Sequence, residues 1–192
     1  MAGVRQFDEQ ELIATALDVF WRKGFHDATM QDLAAASGVQ RGSLYNAYGD
    51  KEQIFLRAFD AYTAQFLETA RRALADGDVA GRLRNFFDVV IVNMTSGTPA
   101  RGCLTTRTAL DPSISRRAVR QRVHGLLSRL EQLVAQAISA ASPRRGAIDA
   151  NRTARVVVIF SRGLAVMERA GYSRKELKDA AATFVDALAG EA

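Results

Sequence analysis

Apolar side chains recur at three- and four-residue spacing through almost the whole chain, and this spacing most constrains the fold. Ile13, Leu17 and Phe20 show it near the N-terminus, and the segment from Val119 to Ala137 shows it over a long stretch. Such spacing places apolar residues on one face of an α-helix. The chain has no alternating strand pattern and no internal repeat, and only 3 of its 192 residues are proline. The sequence therefore predicts an all-α protein of about nine helices.

Start and stop signals divide the first fifty residues into short helices. Asp8 is followed three residues later by Glu11, and Thr29 is followed by Asp32, which is the spacing of a capping box at a helix start. Gly24 is predicted to end the first helix, because glycine readily adopts the backbone conformation at which helices end. The first helix is therefore predicted to end near residue 24 and the second to begin at residue 30.

Two short helices follow around a glycine turn. The first is predicted over residues 30–37 and ends at Gly38, and the second spans residues 41–48 and ends at Gly49. Gly38 stands where a tight turn needs the left-handed backbone. A short helix, a tight turn and a second short helix form the helix-turn-helix layout.

The remaining segments are longer helices separated by clusters of Gly, Pro, Asp and Ser. These breaks lie at residues 76–78, 96–99, 111–112 and 142–146 and at Gly171. The last two helices are predicted from about Ala150 to Ala170 and from Arg174 to Ala189.

Composition and spacing exclude several classes of protein. A single cysteine cannot form an internal disulfide or a Cys-based zinc site. His26 and His124 lack the spacing of metal ligands, and no catalytic motif is present, so we expect no metal, no cofactor and no enzyme. The longest apolar run, residues 156–160, is too short to cross a bilayer, and the N-terminus resembles no signal peptide. We therefore expect a cytoplasmic protein without a membrane partner.

The outer face of the helix over residues 41–48 carries side chains suited to DNA. Arg41 can bind guanine through two hydrogen bonds, and Gln40 and Asn46 can do the same with adenine. The hydroxyls of Ser43 and Tyr45 can bond phosphates. A three-helix unit that presents such a short helix to the major groove reads DNA.

Two further residues support DNA binding. Gly42 allows the backbone of the same helix to approach DNA closely. Lys51 stands at the start of the next helix, where the helix dipole and free N–H groups also favour a phosphate.

The stretch from Phe7 to Phe59 carries particular residue types in a fixed order and spacing over about fifty residues. They are Phe20, Gly24 and Phe25; Thr29, Leu33 and Ala34; Gly38 and Val39; Gly42, Ser43, Leu44 and Tyr45; Tyr48; and Lys51 with Glu52. In these residues the stretch resembles the N-terminal domain of the TetR/AcrR family of bacterial transcriptional regulators. The rest of the chain resembles the family only in the number and length of its helices.

The resemblance implies a homodimeric, ligand-responsive regulator, most often a repressor of a palindromic operator. Residues 1–52 would form the helix-turn-helix DNA-binding domain, and residues 53–192 the ligand-binding and dimerisation domain. The last two helices of each copy would pair with their mates in a four-helix bundle. Binding of a small-molecule effector would change the spacing of the two recognition helices. Since half-sites lie about 34–36 Å apart, such a change weakens operator binding.

The resemblance also assigns roles to residues of the head. Base reading falls to Gln40, Arg41, Ser43 and Asn46. Contacts with the DNA backbone fall to Thr29, Gly42, Tyr45, Tyr48 and Lys51. Tyr48 is equally well explained as a packing residue. Gln40, Arg41 and Asn46 differ from the residues common in the family, so the operator sequence is not implied.

Aromatic residues and the single cysteine are the candidates for an effector pocket in the second domain. The candidate pocket residues are Tyr62, Phe66, Phe86, Phe87, Cys103 and Phe160. Aromatic side chains at helical spacing are usually core, but together they can enclose an apolar cavity. The cations Arg101 and Arg107 near Cys103 would make its thiol reactive toward oxidants or electrophiles, whereas a free cysteine is more commonly a small buried apolar residue.

The charge pattern leaves two questions open. Residues 1–50 contain four basic and seven acidic side chains, although phosphate attraction favours a basic head. We expect Asp8, Glu9 and Glu11 to lie at the first turn of the first helix, away from DNA. Residues 101–150 contain nine arginines and three acidic residues, which suits either an anionic effector or a solvated helix surface.

Two other classes of protein remain as alternatives. A small helical enzyme or carrier would need a catalytic set, which the sequence does not show, and would leave the head unexplained. An interaction protein whose head no longer binds DNA would have the same pattern. A gel shift with the DNA upstream of the gene separates both from a regulator.

Overall fold

The computed structural model describes residues 8–141 and 149–189. Over those residues the chain forms nine α-helices and one 3-10 helix and contains no strand, which confirms the all-α prediction. The α-helices are α1 Glu9–Asp27, α2 Met30–Ser37, α3 Arg41–Tyr48, α4 Lys51–Ala73, α5 Val79–Thr95, α6 Leu104–Leu110, α7 Arg117–Ala141, α8 Ala150–Arg169 and α9 Arg174–Ala189, and the 3-10 helix is Pro112–Ser115. The loop predicted at 142–146 lies outside the described residues.

Local capping explains where the first helices begin. One carboxylate oxygen of Asp8 accepts the N–H groups of Gln10 and Glu11 at 2.7 and 3.2 Å. Asp50 caps the start of α4 by accepting the Gln53 N–H at 2.9 Å. These bonds satisfy backbone donors that have no partner inside the helix.

Helix α1 differs from its predicted extent at Gly24. The backbone there is non-helical, with φ 81° and ψ 169°, yet a further turn follows and α1 ends only at Asp27. Gly24 is therefore a kink inside the helix rather than its end, and only glycine adopts this backbone without strain.

The chain divides into two compact units that do not follow its order. The first contains residues 8–64 together with 107–123, and the second contains 65–106 together with 124–141 and 149–189. Helices α4, α6 and α7 each contribute residues to both units. The functional division after residue 52 stays a prediction.

An aromatic cluster forms the core of the first unit. Phe55 on α4 meets Phe20 and Phe25 of α1 edge-on, at centroid distances of 5.1 and 5.0 Å. Trp21 meets Tyr62 of α4 in the same way at 5.2 Å. Each of these rings is buried, and burial of one such side chain contributes about 1.5–3 kcal/mol. The cluster fixes α1 against the first half of α4.

The second unit is built around α5, α8 and α9. Phe87 of α5 meets Phe160 of α8 and Phe184 of α9 edge-on at 5.7 and 5.8 Å. Phe160 and Phe184 stack on each other at 4.0 Å. The three rings therefore join α5, α8 and α9 to one another.

Helix α8 also exposes apolar side chains on the face opposite its buried residues. Val156, Ile159 and Val166 are exposed, with Ile159 reaching 62 %, and Gly163 lies among them at the same spacing. This outer stripe, Val156–Ile159–Gly163–Val166, follows the three- and four-residue spacing of a helix-packing seam. Within the described ranges, no helix is long and apolar enough to cross a membrane.

Candidate nucleic-acid interface

The start of α2 is a complete capping box. The Thr29 hydroxyl accepts the Asp32 N–H at 3.1 Å, and the Thr29 N–H and hydroxyl both donate to Asp32 Oδ2, at 3.0 and 2.8 Å. Lys23 adds an ion pair to Asp32 Oδ1 at 2.6 Å. The hydrogen bonds from Lys23 and then from Thr29 lower the pKa of Asp32 to about 2. Thr29 is exposed, but its hydroxyl already serves the cap.

The recognition helix α3 has an apolar inner face and a polar outer face. Leu44 and Tyr48 are buried. The exposed residues are Gln40, Arg41, Gly42, Tyr45 and Asn46, and Ser43 is half-buried. A Cβ added at Gly42 would meet nothing within 4 Å, so this part of the backbone is open to a partner. The structure thus brings all the predicted base-reading residues together on α3 and its N-cap.

Arg41 and Tyr45 form a pair on the outer face of α3. The Arg41 guanidinium lies over the Tyr45 ring, 5.4 Å from its centroid, and its Nη2 donates to the Tyr45 hydroxyl at 3.3 Å. The residues are one helical turn apart, so the contact holds the guanidinium along the helix surface. A restrained guanidinium loses less conformational freedom when it binds a base.

Lys51 and Tyr48 face the protein rather than the surface. The Lys51 ammonium donates to the carbonyls of Ala28, Phe25 and His26 at 2.6, 2.7 and 3.1 Å, which occupies its three N–H bonds. Burial, together with the nearby Arg116 charge, lowers the pKa of Lys51. The Tyr48 hydroxyl oxygen is buried and the side chain is 6 % exposed. A phosphate contact by either side chain would require a local rearrangement.

The first unit gains positive charge from a distant part of the chain. Residues 107–123 belong to this unit and contain five arginines and one aspartate. Arg116 pairs with Glu52 at 2.5 Å and Arg122 with Asp60 at 2.8 Å. Part of the arginine excess in 101–150 therefore pairs with acidic residues of α4, which are not among the seven acidic residues of 1–50. The structure also places Asp8, Glu9 and Glu11 at the start of α1, as expected; their distance from DNA stays a prediction.

The predicted pocket residues belong to two different compact units. Tyr62 packs on Trp21 in the first unit. Phe66, Phe86, Phe87, Cys103 and Phe160 belong to the second unit. Phe184 of α9 packs beside Phe87 and Phe160 but was not among the predicted pocket residues, because helical spacing gives a face and not its neighbour. The pocket stays a prediction.

The predicted cationic neighbourhood of Cys103 is supplied by a different arginine. Arg162 of α8 donates from Nη1 to the Cys103 Sγ at 3.2 Å. Burial raises the pKa of the thiol, but the Arg162 charge and hydrogen bonds from Thr106 and Thr105 outweigh it, so the pKa lies below its ordinary value. Arg162 is 59 positions away in sequence, and no local signal points to it.

A head with a capped α2, a glycine turn and a polar-faced α3 defines a helix-turn-helix DNA-binding protein. Two family models match this chain: "Bacterial regulatory proteins, tetR family" over residues 12–58, and "Tetracyclin repressor-like, C-terminal domain" over residues 79–184. The chain belongs to the tetR family and is a ligand-responsive, DNA-binding transcriptional regulator. The resemblance found in the sequence is confirmed.

Two curated relatives are similar to this chain over more than two thirds of its length. It is 28% identical to the HTH-type transcriptional regulator YezE of Bacillus subtilis, over 69% of this chain and 75% of that protein. It is 25% identical to the HTH-type transcriptional repressor ComR of Escherichia coli, over 92% of this chain and 87% of that protein.

Solved structures share the fold. A cysteine mutant of the TetR family transcriptional regulator CifR, complexed with 26-bp operator DNA, superposes with a TM-score of 0.86 at 23% identity and covers 97% of this chain and 99% of its own. The reduced form of Escherichia coli NemR superposes with a TM-score of 0.80 at 18% identity, covering 92% and 93%.

Proposed function

We propose that the chain is a homodimeric repressor that binds a palindromic operator through α3 and releases it when a small-molecule effector binds the second unit. The observation that carries the proposal is the outer face of α3, where an Arg41 guanidinium already held by Tyr45 stands beside other exposed polar groups. ComR is a repressor, and the CifR structure contains operator DNA.

Base reading is assigned to the outer face of α3 and its N-cap. Arg41 would bind guanine, Gln40 and Asn46 would bind adenine, and Ser43 would contact either base. Gln40 is the N-cap residue of α3 but makes no capping bond with its side chain.

The DNA backbone is assigned to the groups around this surface. Gly42 allows close approach, the Tyr45 side chain is exposed, and Thr29 stands at the exposed start of α2. Lys51 and Tyr48 would act indirectly, Lys51 by holding the α1–α2 turn and Tyr48 by packing beneath α3. Each phosphate contact adds to the salt dependence of binding.

The outer stripe of α8 is assigned to the dimer. Three exposed aliphatic side chains and Gly163 form a continuous seam that a second copy of the same helix can cover. A symmetric dimer presents two copies of α3, so the operator that we propose is palindromic.

The effector is assigned to the second unit. This unit contains both the packed rings of Phe87, Phe160 and Phe184 and the Cys103–Arg162 pair. FadR of Bacillus subtilis, which shares the fold with a TM-score of 0.72 at 17% identity over 93% of this chain and 97% of its own, was solved with stearoyl-CoA. For this chain we propose an effector with an apolar part that contacts these aromatic rings.

Base reading is tested on a duplex that the wild-type protein selects from a random library. R41A should weaken binding at least about tenfold and lose discrimination between the selected duplex and single-base variants, since a bidentate contact contributes about 1–3 kcal/mol. Y45F should weaken binding to all sequences and, because it also removes the hydrogen bond that holds the Arg41 guanidinium, should reduce base preference less than R41A does. R72A is the matched control, because Arg72 is exposed near the end of α4 and pairs with Glu68. Unchanged affinity and preference in R41A would refute this assignment of readout.

The dimer is tested by sedimentation. I159E should convert the dimer to monomer, because the charge would lie at the centre of the seam. V92E is the matched control, since Val92 is an exposed apolar residue on α5 at 45 % exposure. A dimer that survives I159E but not V92E would place the interface elsewhere.

A further inference from the structure

The kink in α1 leaves two backbone groups that need partners. In an uninterrupted helix the N–H of residue 26 donates to the carbonyl of residue 22. At the Gly24 kink these groups bind other partners instead. Arg107 donates from Nη2 to the Arg22 carbonyl at 3.0 Å, and Asp111 Oδ2 accepts the His26 N–H at 3.1 Å.

The two side chains match the two backbone groups in hydrogen-bonding chemistry as well as in position. A guanidinium is a donor only and binds the carbonyl, whereas a carboxylate is an acceptor only and binds the N–H. Both side chains come from the segment 107–111, which belongs to the same compact unit as α1. A single short segment therefore satisfies both sides of the break.

Gly24 makes room for this contact. A Cβ built at this position would lie 3.2 Å from Asp111 Oδ2 and 3.3 Å from Arg107 Nε, and φ is positive. Glycine is therefore required both by the backbone conformation and by the approach of the two side chains.

The residues after the kink lead directly to the DNA-reading helices. Only Ala28 and the N-cap Thr29 separate the end of α1 from α2, and α2 is followed by the turn into α3. The Lys51 ammonium donates to the Ala28 carbonyl within this short connection. The direction in which α2 leaves α1 therefore depends on how the last turn of α1 is held.

We propose that Arg107 and Asp111 are positioning residues for DNA binding, which keep α1 kinked at Gly24 and thereby hold α2 and α3 in the arrangement that fits the operator. Without them, the His26 N–H can return to the Arg22 carbonyl, and the last turn of α1 straightens. This inference rests on the proposed function, since the arrangement matters only if the head binds DNA.

The experiment uses the full-length protein and the duplex selected by the wild type. R107M replaces the guanidinium by an apolar chain. Asp111 accepts the backbone N–H groups of His26 and Ser113. D111N replaces one of its two acceptor oxygens by an amide N–H, which faces one of these two donors. Both should weaken binding about tenfold, which corresponds to about 1.4 kcal/mol. R107K keeps a donor for the Arg22 carbonyl and should restore most of the affinity. R122M is the matched control, because Arg122 lies in the same unit and pairs with Asp60 instead.

Trp21 gives a second readout that a general loss of stability would not move. It is the only tryptophan, it is buried, and it immediately precedes Arg22. At a temperature where circular dichroism shows every variant folded, its emission should shift in R107M and D111N and remain unchanged in R107K and R122M.

The outcomes separate the two proposals. Failure of the wild type to select any duplex would refute the proposed function. If the wild type binds but R107M and D111N bind equally well with unchanged Trp21 emission, the positioning role is wrong. If both variants unfold, the residues serve folding rather than positioning, and the inference is overturned. If only one variant unfolds, the duplex affinity and the Trp21 emission of the other variant decide whether the positioning role is correct.

Discussion

Replacing Lys51 by methionine should destabilise the head without removing a contact to DNA. The substitution keeps a chain of similar length and deletes the ammonium that binds the carbonyls of Ala28, Phe25 and His26 at 2.6–3.1 Å. A hydrogen bond to a charged group contributes about 1.5–3 kcal/mol, and three bonds sharing one partly exposed ammonium should together contribute about 2–4 kcal/mol. For a chain of this length the melting temperature should fall by roughly 5–15 °C.

Two measurements distinguish this structural role from a phosphate contact. Thermal unfolding gives the loss of stability, with K175M as the control, because Lys175 is exposed and makes only an i,i+4 ion pair with Asp179. The salt dependence of operator binding, measured below the melting transition, gives the role in DNA contact. Loss of one phosphate contact lowers the magnitude of the slope of log K against log salt by about 0.9. We expect an unchanged slope; a decrease of that size, with the melting temperature unaltered, would refute the structural role.

Two further predictions concern titratable groups. R162M should raise the pKa of the Cys103 thiol, because it removes the charge 3.2 Å from Sγ while burial remains; alkylation by iodoacetamide at neutral pH should then be slower than in the wild type, and an equal or faster rate would show that Arg162 does not activate the thiol. The pKa of Asp32 is held at about 2 in the folded protein against 3.8 ordinarily, so its contribution to stability is present above pH 3.8 and is lost as the pH falls toward 2. D32N should remove this part of the pH dependence, so that its melting temperature falls less steeply than that of the wild type between pH 4 and 2; parallel curves would contradict the assignment.

Helix boundaries in the head followed from the sequence because their signals are local. The Thr29–Asp32 box and the glycine at 38 act within four residues, and α2 and α3 occupy the predicted ranges. The extent of α1 was not predictable in the same way. Its last turn survives the Gly24 kink beside Asp111 and Arg107, and these residues are about 85 positions away.

The chemistry of a side chain could be predicted from the sequence only where its contacts are with residues close to it in sequence. The position of Lys51 at a helix start indicates a phosphate contact, but the folded α1–α2 turn places three carbonyls around its ammonium. The cations adjacent to Cys103 in sequence pointed to a reactive thiol, whereas the arginine that contacts it lies on α8. In both cases the deciding partner comes from tertiary packing.

The distribution of the first compact unit over two separate stretches of the chain limits how this regulator can be recombined. A chimera built by joining residues 1–52 to another protein's effector domain would inherit the surface that reads DNA but not Arg107 and Asp111, which bind the Arg22 carbonyl and the His26 N–H. A transplantable head must include residues 107–123 or a host segment that supplies one donor and one acceptor over Gly24. Evolution of the effector domain is bound by the same requirement, so the 107–111 segment should vary together with the end of α1 rather than with the rest of the domain that surrounds it in sequence.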